Sequence, residues 1–396
     1  MLTEAQLNAL LSIFDARWHK LVTEYLSMMG DHLHDIGQLL PSDANRIAEM
    51  KRMGVNIERI HKQIAHAAQA SMEDIEKAFA AIAKENADFM AQVLAQPHEA
   101  VLSSARLRRT LEAQYRLTME TMMNLSRTTI VSDAYRNAVD VAVQAVQGGV
   151  SDYTSAIRSA MMHAADDGLS IEQGVFMDEN GTRRVVYGGG RTIRLDTAVR
   201  QNVLDGMRSL NQNIMMAIGE EFGANGVEIS AHALCAEDHL DVQGQQMGMK
   251  FFQMMQGEIP NTMQVKVLER PIGMWNCKHT VHPIIIGISE PTYTNEELKD
   301  FRQQSTQKII IEGIDDKERT RYEWTQYQRQ IETAVRYAKD RAVLAQHAGD
   351  ERMNRDCTMK INALNDVYQK VCDNAFLKPQ RDRMYVPGYK YKKIKV

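Results

Sequence analysis

Two short stretches concentrate the side chains that bind metals or move protons. GMWNCKHTVHP carries Cys277, His279 and His282, and SAHALCAEDH, upstream of it, carries His232, Cys235 and His239. Thiolate and imidazole are the ligands zinc prefers, and two such clusters meeting at strand ends could close a tetrahedral site. The spacings match no standard zinc module. The plainer use of such residues is structural, as imidazoles that give and accept hydrogen bonds to irregular backbone.

Other chemistry is less well supported. His232, Asp238, His239 and Asp241 could form an acid/base group and Cys277 could be a nucleophile, but no nucleophile elbow, HExxH or ordered triad signature accompanies them. Gly188, Gly189 and Gly190 lack the GK[ST] ending of a phosphate loop. At the other end of the chain, Arg381, Arg383, Lys390, Lys392, Lys393 and Lys395 stand against the single acid Asp382 and are interleaved with Tyr385, Tyr389 and Tyr391. That pattern fits electrostatic contact with nucleic-acid phosphates plus stacking on bases, and it equally fits a solvated terminus.

The elements that must position these residues belong to a globular chain. It has 396 residues, 44% hydrophobic and 25% charged, which gives room for two or three domains. The net charge of -4 exerts no whole-chain pull on nucleic acid, so any such contact must be local. Four cysteines scattered over a chain of this length do not form the framework of a small secreted domain and fit a reducing compartment. MLTEAQLNALLSIFDARWHK interrupts its apolar positions with Glu4 and Asp15, so it does not read as a signal peptide. No run approaches the roughly 20 apolar residues of a membrane span.

The periodicity predicts an α+β fold that is mostly helical. Leu7, Leu10, Leu11, Phe14, Trp18, Leu21, Val22 and Tyr25 share one face of a helix expected to end near Gly30. A second helix is expected from Ser42 or Asp43, a third from Ser71 with Asp74 completing a capping-box-like start, and others over about 104–127, 132–147 and 152–165. Arg106, Arg108 and Arg109 fall on a wet face. The middle changes character. Asn180-Gly181 predicts a hairpin turn, a helix over about 196–221 ends at Gly223, and VEISAHA, TMQVKVLE and HPIIIG read as short strands. From Thr294 onward helices are expected again, with Tyr327, Ile331, Ala334, Val335, Ala338 and Ala342 buried, Glu332 and Arg336 paired on the wet side, and Ile361, Leu364, Val367, Tyr368 and Val371 on a last helix. The expected division is a helical region at 1–150, an α+β domain at 151–292, C-terminal helices at 293–378 and a basic tail at 379–396.

Three ordered blocks carry a family resemblance. RTIRLDTAVRQNVLDG is followed by VEISAH, His239 and Gln243-Gly244; Asn276-Cys277-Lys278-His279 leads to Pro283 and Gly287; and Tyr322 to Asp350 reads YEWTQYQRQIETAVRYAKDRAVLAQHAGD. In these blocks the chain resembles the phage minor capsid protein 2 family, minor head proteins of tailed bacteriophages. The middle segment is similar to the Mu-type head-morphogenesis domain. Where that family reads G-A-R-P, this chain has Leu234-Cys235-Ala236-Glu237, and the aromatic usual before Q-G is Val242. The lost arginine weighs against an activity that needs it, whereas packing tolerates size-matched change.

The resemblance implies a structural, non-enzymatic virion protein, made in the host cytoplasm and present in multiple copies at the portal vertex. Its implied partners are portal protein, major capsid protein and packaged DNA. No cofactor is expected beyond a zinc ion on the Cys/His clusters. Two alternatives from other classes stand beside it: a metal-dependent or ADP-ribosyl-type enzyme carried in the head, and a nucleic-acid-binding accessory protein acting through its tail.

Overall fold

A computed structural model describes residues 4–36, 38, 43–93, 99, 105–130, 135, 138–141, 158, 161–162, 165, 170–177, 183–187, 191–221, 223–273 and 277–390. The α+β, mostly helical class holds: long helices form both ends and the strands are short. Helices α1 (Glu4–Ile36), α2 (Asp43–Val93), α3 (Ala105–Thr128) and α4 (Leu195–Glu221) pack with the last turns of α7 (Arg321–His347) and the first turns of α8 (Glu351–Asn374) around one apolar cluster. Leu11, Phe14, Trp18, Leu21, Val22 and Tyr25 lie in that cluster and Leu10 packs on it. The stripe read from the sequence is therefore spent inside the chain. No helix among the described residues is long and apolar enough to cross a membrane.

Two expected helix boundaries are overturned, both by tertiary contacts. Helix α1 does not stop at Gly30 but continues to Ile36. A Cβ at Gly30 would sit 2.7 Å from His347 Cβ and 2.8 Å from the Leu344 carbonyl oxygen, so the glycine marks where α1 and α7 touch. Nor does Ser71 start a helix. It lies inside the 51-residue α2, where its hydroxyl donates to the Ala67 carbonyl at 2.8 Å and accepts from Trp18 Nε1 at 3.1 Å. The helices expected at 132–147 and 152–165 fall largely outside the described residues, although 135, 138–141, 158, 161–162 and 165 are helical.

A buried ionic group ties α1, α4 and α7 together. Arg194 Nη1 donates to Asp340 Oδ2 at 2.5 Å and its Nε to Asp196 Oδ1 at 3.3 Å, while His19 Nε2 stands 3.1 Å from Asp196 Oδ2. Burial works to raise the Asp196 carboxyl, but the Arg194 charge and the His19 contact overcome it and hold the group below the usual carboxylate range.

Strand β2 (Ser170–Met177) pairs antiparallel with β1 (Thr129–Ile130), β3 (Arg183–Tyr187) and β4 (Arg191–Arg194). The Met177↔Arg183 register closes the hairpin expected at Asn180-Gly181; that turn and Gly188–Gly190 lie outside the described residues. The second sheet positions the site. β5 (Gly226–Ile229) lies between β6 (Gln246–Gly248) and β7 (Val281–Ile284), antiparallel to both, with helix α5 (Met249–Met255) following β6. Its apolar side is small: Val227, Ile229, Phe252, Met255, Ile272 and Val281.

TMQVKVLE is not a strand. Asn261 instead clasps Val265 from both sides, with Oδ1 accepting from Val265 N at 2.8 Å and Nδ2 donating to its carbonyl at 2.6 Å. Helix α6 (Asn295–Thr306) opens on a capping box between Thr294 and Glu297. A hairpin, β8 (Lys308–Ile311) with β9 (Asp315–Thr320), then interrupts the region read as helix throughout.

Glu332 does not face water beside Arg336. It is buried, its Oε1 accepts from the Tyr368 hydroxyl at 3.0 Å and its Oε2 lies 3.7 Å from Arg383 Nη1. The cause is the stretch after α8, which folds back over α7 and α8. A 3-10 turn at Arg381–Met384 buries Met384, whose carbonyl accepts from Lys339 Nζ at 2.6 Å, and Tyr389 packs against both helical clusters.

Candidate functional site

The chain leaves β5 at Ile229, crosses Ser230 to Leu234, makes a 3-10 turn at Glu237–His239, and returns through Gly244, whose N–H donates to the Ile229 carbonyl at 2.8 Å. Into this loop comes the segment leading to β7. The two are pinned by a reciprocal pair: Ser230 N donates to the Thr280 carbonyl at 2.9 Å, and Thr280 N donates to Ser230 Oγ at 2.9 Å. Cys277 and His279 are thereby set against His232, Cys235 and His239. The convergence expected from the two sequence clusters is present, with one exception.

The centre is Cys277. Its Sγ lies 3.4 Å from His239 Nδ1 and 3.3 Å from His279 Nδ1, and all three residues are buried. His239 Nε2 is 2.7 Å from the Arg270 carbonyl oxygen, and His279 Nε2 is 3.3 Å from Gln243 Oε1. Gln243 Oε1 also accepts from His232 N at 3.2 Å, which fixes the orientation of that amide. The His232 ring stacks on His279 with centroids 4.4 Å apart. Cys235 lies on the far edge of the His279 ring, 3.6 Å from Nε2, with its thiol directed to the Ala236 carbonyl at 3.1 Å and its N–H donating to Ser305 Oγ at 3.0 Å.

The exception is His282. Strand alternation puts its neighbour Val281 into the small apolar core and His282 on the opposite face. There it stands across from Glu228, Nε2 3.6 Å from Oε1. Glu228 is fully buried, and its carboxylate accepts from Gln246 Nε2 at 2.7 Å and from Thr292 N at 3.1 Å.

Electrostatics keep this site neutral. Burial, reinforced by His232, His239, Arg270 and Lys278, pushes the His279 imidazole down to about 2. Burial lifts the Cys277 thiol as well, against hydrogen bonding from the Gly273 and His279 backbone. Cys235 is pushed up to about 12, by burial first and then by Cys277 and Asp238. All four cysteines are free and buried. A thiol held protonated is a poor nucleophile, so the geometry argues for binding and bracing over covalent chemistry.

Beside the cluster opens a cleft of about 290 Å³, with Cys277 and His279 in its wall. Arg270, Lys278, Arg329, Lys378 and Arg383 line it and no carboxylate does. Of the basic residues expected in a tail, Arg383 therefore lines a cleft. Arg381 donates from Nη2 to Gln369 Oε1 at 2.6 Å, Lys390 is exposed, and Lys392, Lys393 and Lys395 lie outside the described residues. Sequence reading missed Arg270, Gln243 and Arg329 as parts of the site. Gln243-Gly244 was visible only as part of a motif, and Arg270 contributes a backbone oxygen, which leaves no signature in the side chains.

A search of curated proteins and of solved structures finds no match. The profile of one family, described as phage minor capsid protein 2, matches residues 2–371. That span includes both helical ends, the Cys/His loops and the β8–β9 hairpin, so the agreement covers the architecture and not an isolated motif. The chain belongs to the phage minor capsid protein 2 family.

Proposed function

We propose that this minor capsid protein acts at the portal vertex of a tailed phage head, in several copies bound to portal protein and to the major capsid protein, and that it is assembled there in the host cytoplasm. The observation carrying this reading is the family match along 2–371. It is supported by the build of the molecule, in which a 51-residue helix, about 76 Å long at 1.5 Å per residue, runs through a large helical body and the four cysteines are buried. The apolar stripe of α1 is already covered within the chain, so it is not the docking surface. Copies around a ring would meet through one repeated heterologous interface.

Contact with packaged DNA is the second part of the reading. The cleft lined by Arg270, Lys278, Arg329, Lys378 and Arg383 is the observation that favours it: Asp238 pairs with Arg270 and Glu332 stands near Arg383, and the remaining excess of positive charge suits a polyanion. Co-expression with portal and major capsid protein followed by cryo-EM of the vertex tests the whole. Density for this chain against portal is expected, and separate migration of the proteins under gentle conditions overturns the portal assignment. DNA binding across a salt series should weaken steeply for the native chain and less so for Arg329→Ala. Salt-insensitive, equal binding removes DNA from the reading.

A further inference from the structure

The hydrogen-bond logic around Cys277 leaves one proton too few. The Arg270 carbonyl can only accept, so His239 Nε2, 2.7 Å away, carries the hydrogen and His239 Nδ1 presents a bare lone pair. Gln243 Oε1, identified as oxygen because it accepts from His232 N, likewise takes the hydrogen of His279 Nε2, and His279 Nδ1 is bare too. Cys235 does not alter this, because its thiol is directed to the Ala236 carbonyl. Two lone pairs thus converge on Cys277 Sγ, at 3.4 and 3.3 Å, and a thiol has one hydrogen to give.

A cation satisfies all three atoms at once. With zinc–sulfur and zinc–nitrogen bonds of about 2.3 and 2.0–2.1 Å, tetrahedral ligands lie about 3.5 Å apart, close to both observed separations. The outer nitrogens are held as metal-bound histidines require, each donating its other N–H to a fixed oxygen. We propose that His239 Nδ1, His279 Nδ1 and Cys277 Sγ bind a zinc ion, its fourth position turned to the basic cleft that Cys277 and His279 line. On binding, the Cys277 thiol releases its proton to solvent and the thiolate coordinates. One thiolate with two imidazoles selects zinc over magnesium or calcium. Cys235, on the other edge of the His279 ring, and His282, across the sheet beside Glu228, stay outside the site.

Metal analysis of the full chain, purified with zinc and dialysed free of excess, should find one zinc per chain. His282→Asn should keep it, Cys277→Ala should lose it, and Gln243→Ala, which leaves the three ligands in place, should weaken zinc binding roughly 10- to 100-fold. Because Cys277→Ala could fail to fold, the native chain loaded with cobalt provides a second readout. A thiolate-to-cobalt charge-transfer band together with intense tetrahedral ligand-field bands is expected. Zinc far below one per chain in the folded native protein overturns the site. So does a cobalt spectrum without the thiolate band, or zinc retained in folded Cys277→Ala.

Discussion

The helical body and the small α+β segment are stabilised in different ways. Around α1, α2, α3 and α4 the chain buries a continuous series of large side chains, including Trp18, Tyr25, Phe14 and Phe79. The sheet of β5, β6 and β7 has six core side chains of its own, too few for a self-supporting unit. It compensates with polar groups that have few alternatives: Glu228 between His282, Gln246 and Thr292, Gln243 between His232 and His279, and the Cys277 cluster. A core held by buried area tolerates volume-conserving swaps. A buried polar network does not, because each lost partner leaves another group unsatisfied. The lesson is that the concentration of unusual residues in one short segment follows from its small size as much as from any chemistry.

Truncating one aromatic in each region is the strongest way to break this contrast. Phe79→Ala in α2 and Phe252→Ala in α5 each remove a fully buried ring and should each cost about 3–5 kcal/mol. Hydrogen exchange should show the second loss confined to the sheet and α5, with the helical body still protected. Faster exchange in α1 and α4 as well would mean the two regions unfold as one unit.

A smaller effect sharpens the view of the body as the tolerant partner. Burial lifts the Asp205 carboxyl in α4 to about 6, against the pull of Arg208. Since the folded state then holds its proton more tightly than the unfolded one, stability falls as pH rises from about 4 to 6, by up to about 3 kcal/mol. Asp205→Asn should therefore raise the urea midpoint at pH 8 and leave it unchanged at pH 4. A gain of equal size at both pH values would contradict this origin. Smallest is Ser71→Ala, which leaves the Trp18 indole N–H without its acceptor. It should cost about 1–2 kcal/mol, and equilibrium unfolding that matches the native chain would show that the indole finds another partner.

Much of the architecture was legible because periodicity and turn chemistry are local. The β2–β3 hairpin follows from Asn180-Gly181, the end of α4 from Gly223, and the start of α6 from Thr294. Three of the misreadings share one cause. Ser71 resembles a cap until Trp18 claims it from another helix, Gly30 resembles a stop until α7 packs on it, and Glu332 resembles a wet residue until the stretch after α8 covers it. Of the six Cys/His candidates, the contacts tie five together and leave His282 with Glu228. Alternation along β7 could have separated it, had the strand been placed one residue earlier. The carbonyl of Arg270 could not have been foreseen at all.

The contact between α1 and α7 also constrains how this protein comes into being. His19 meets Arg336 and His34 meets the Ala348 carbonyl, pairs more than 300 residues apart in the chain. At a synthesis rate of roughly 5–20 residues per second, α1 waits some 15–60 s after leaving the ribosome before α7 exists. Contacts of such long range also close slowly once both partners are present. During that interval Phe14, Trp18 and Tyr25 can be covered first by α2 and then by α4, which already meets α1 through His19 and Asp196, while the side of α1 that α7 covers in the finished core stays open.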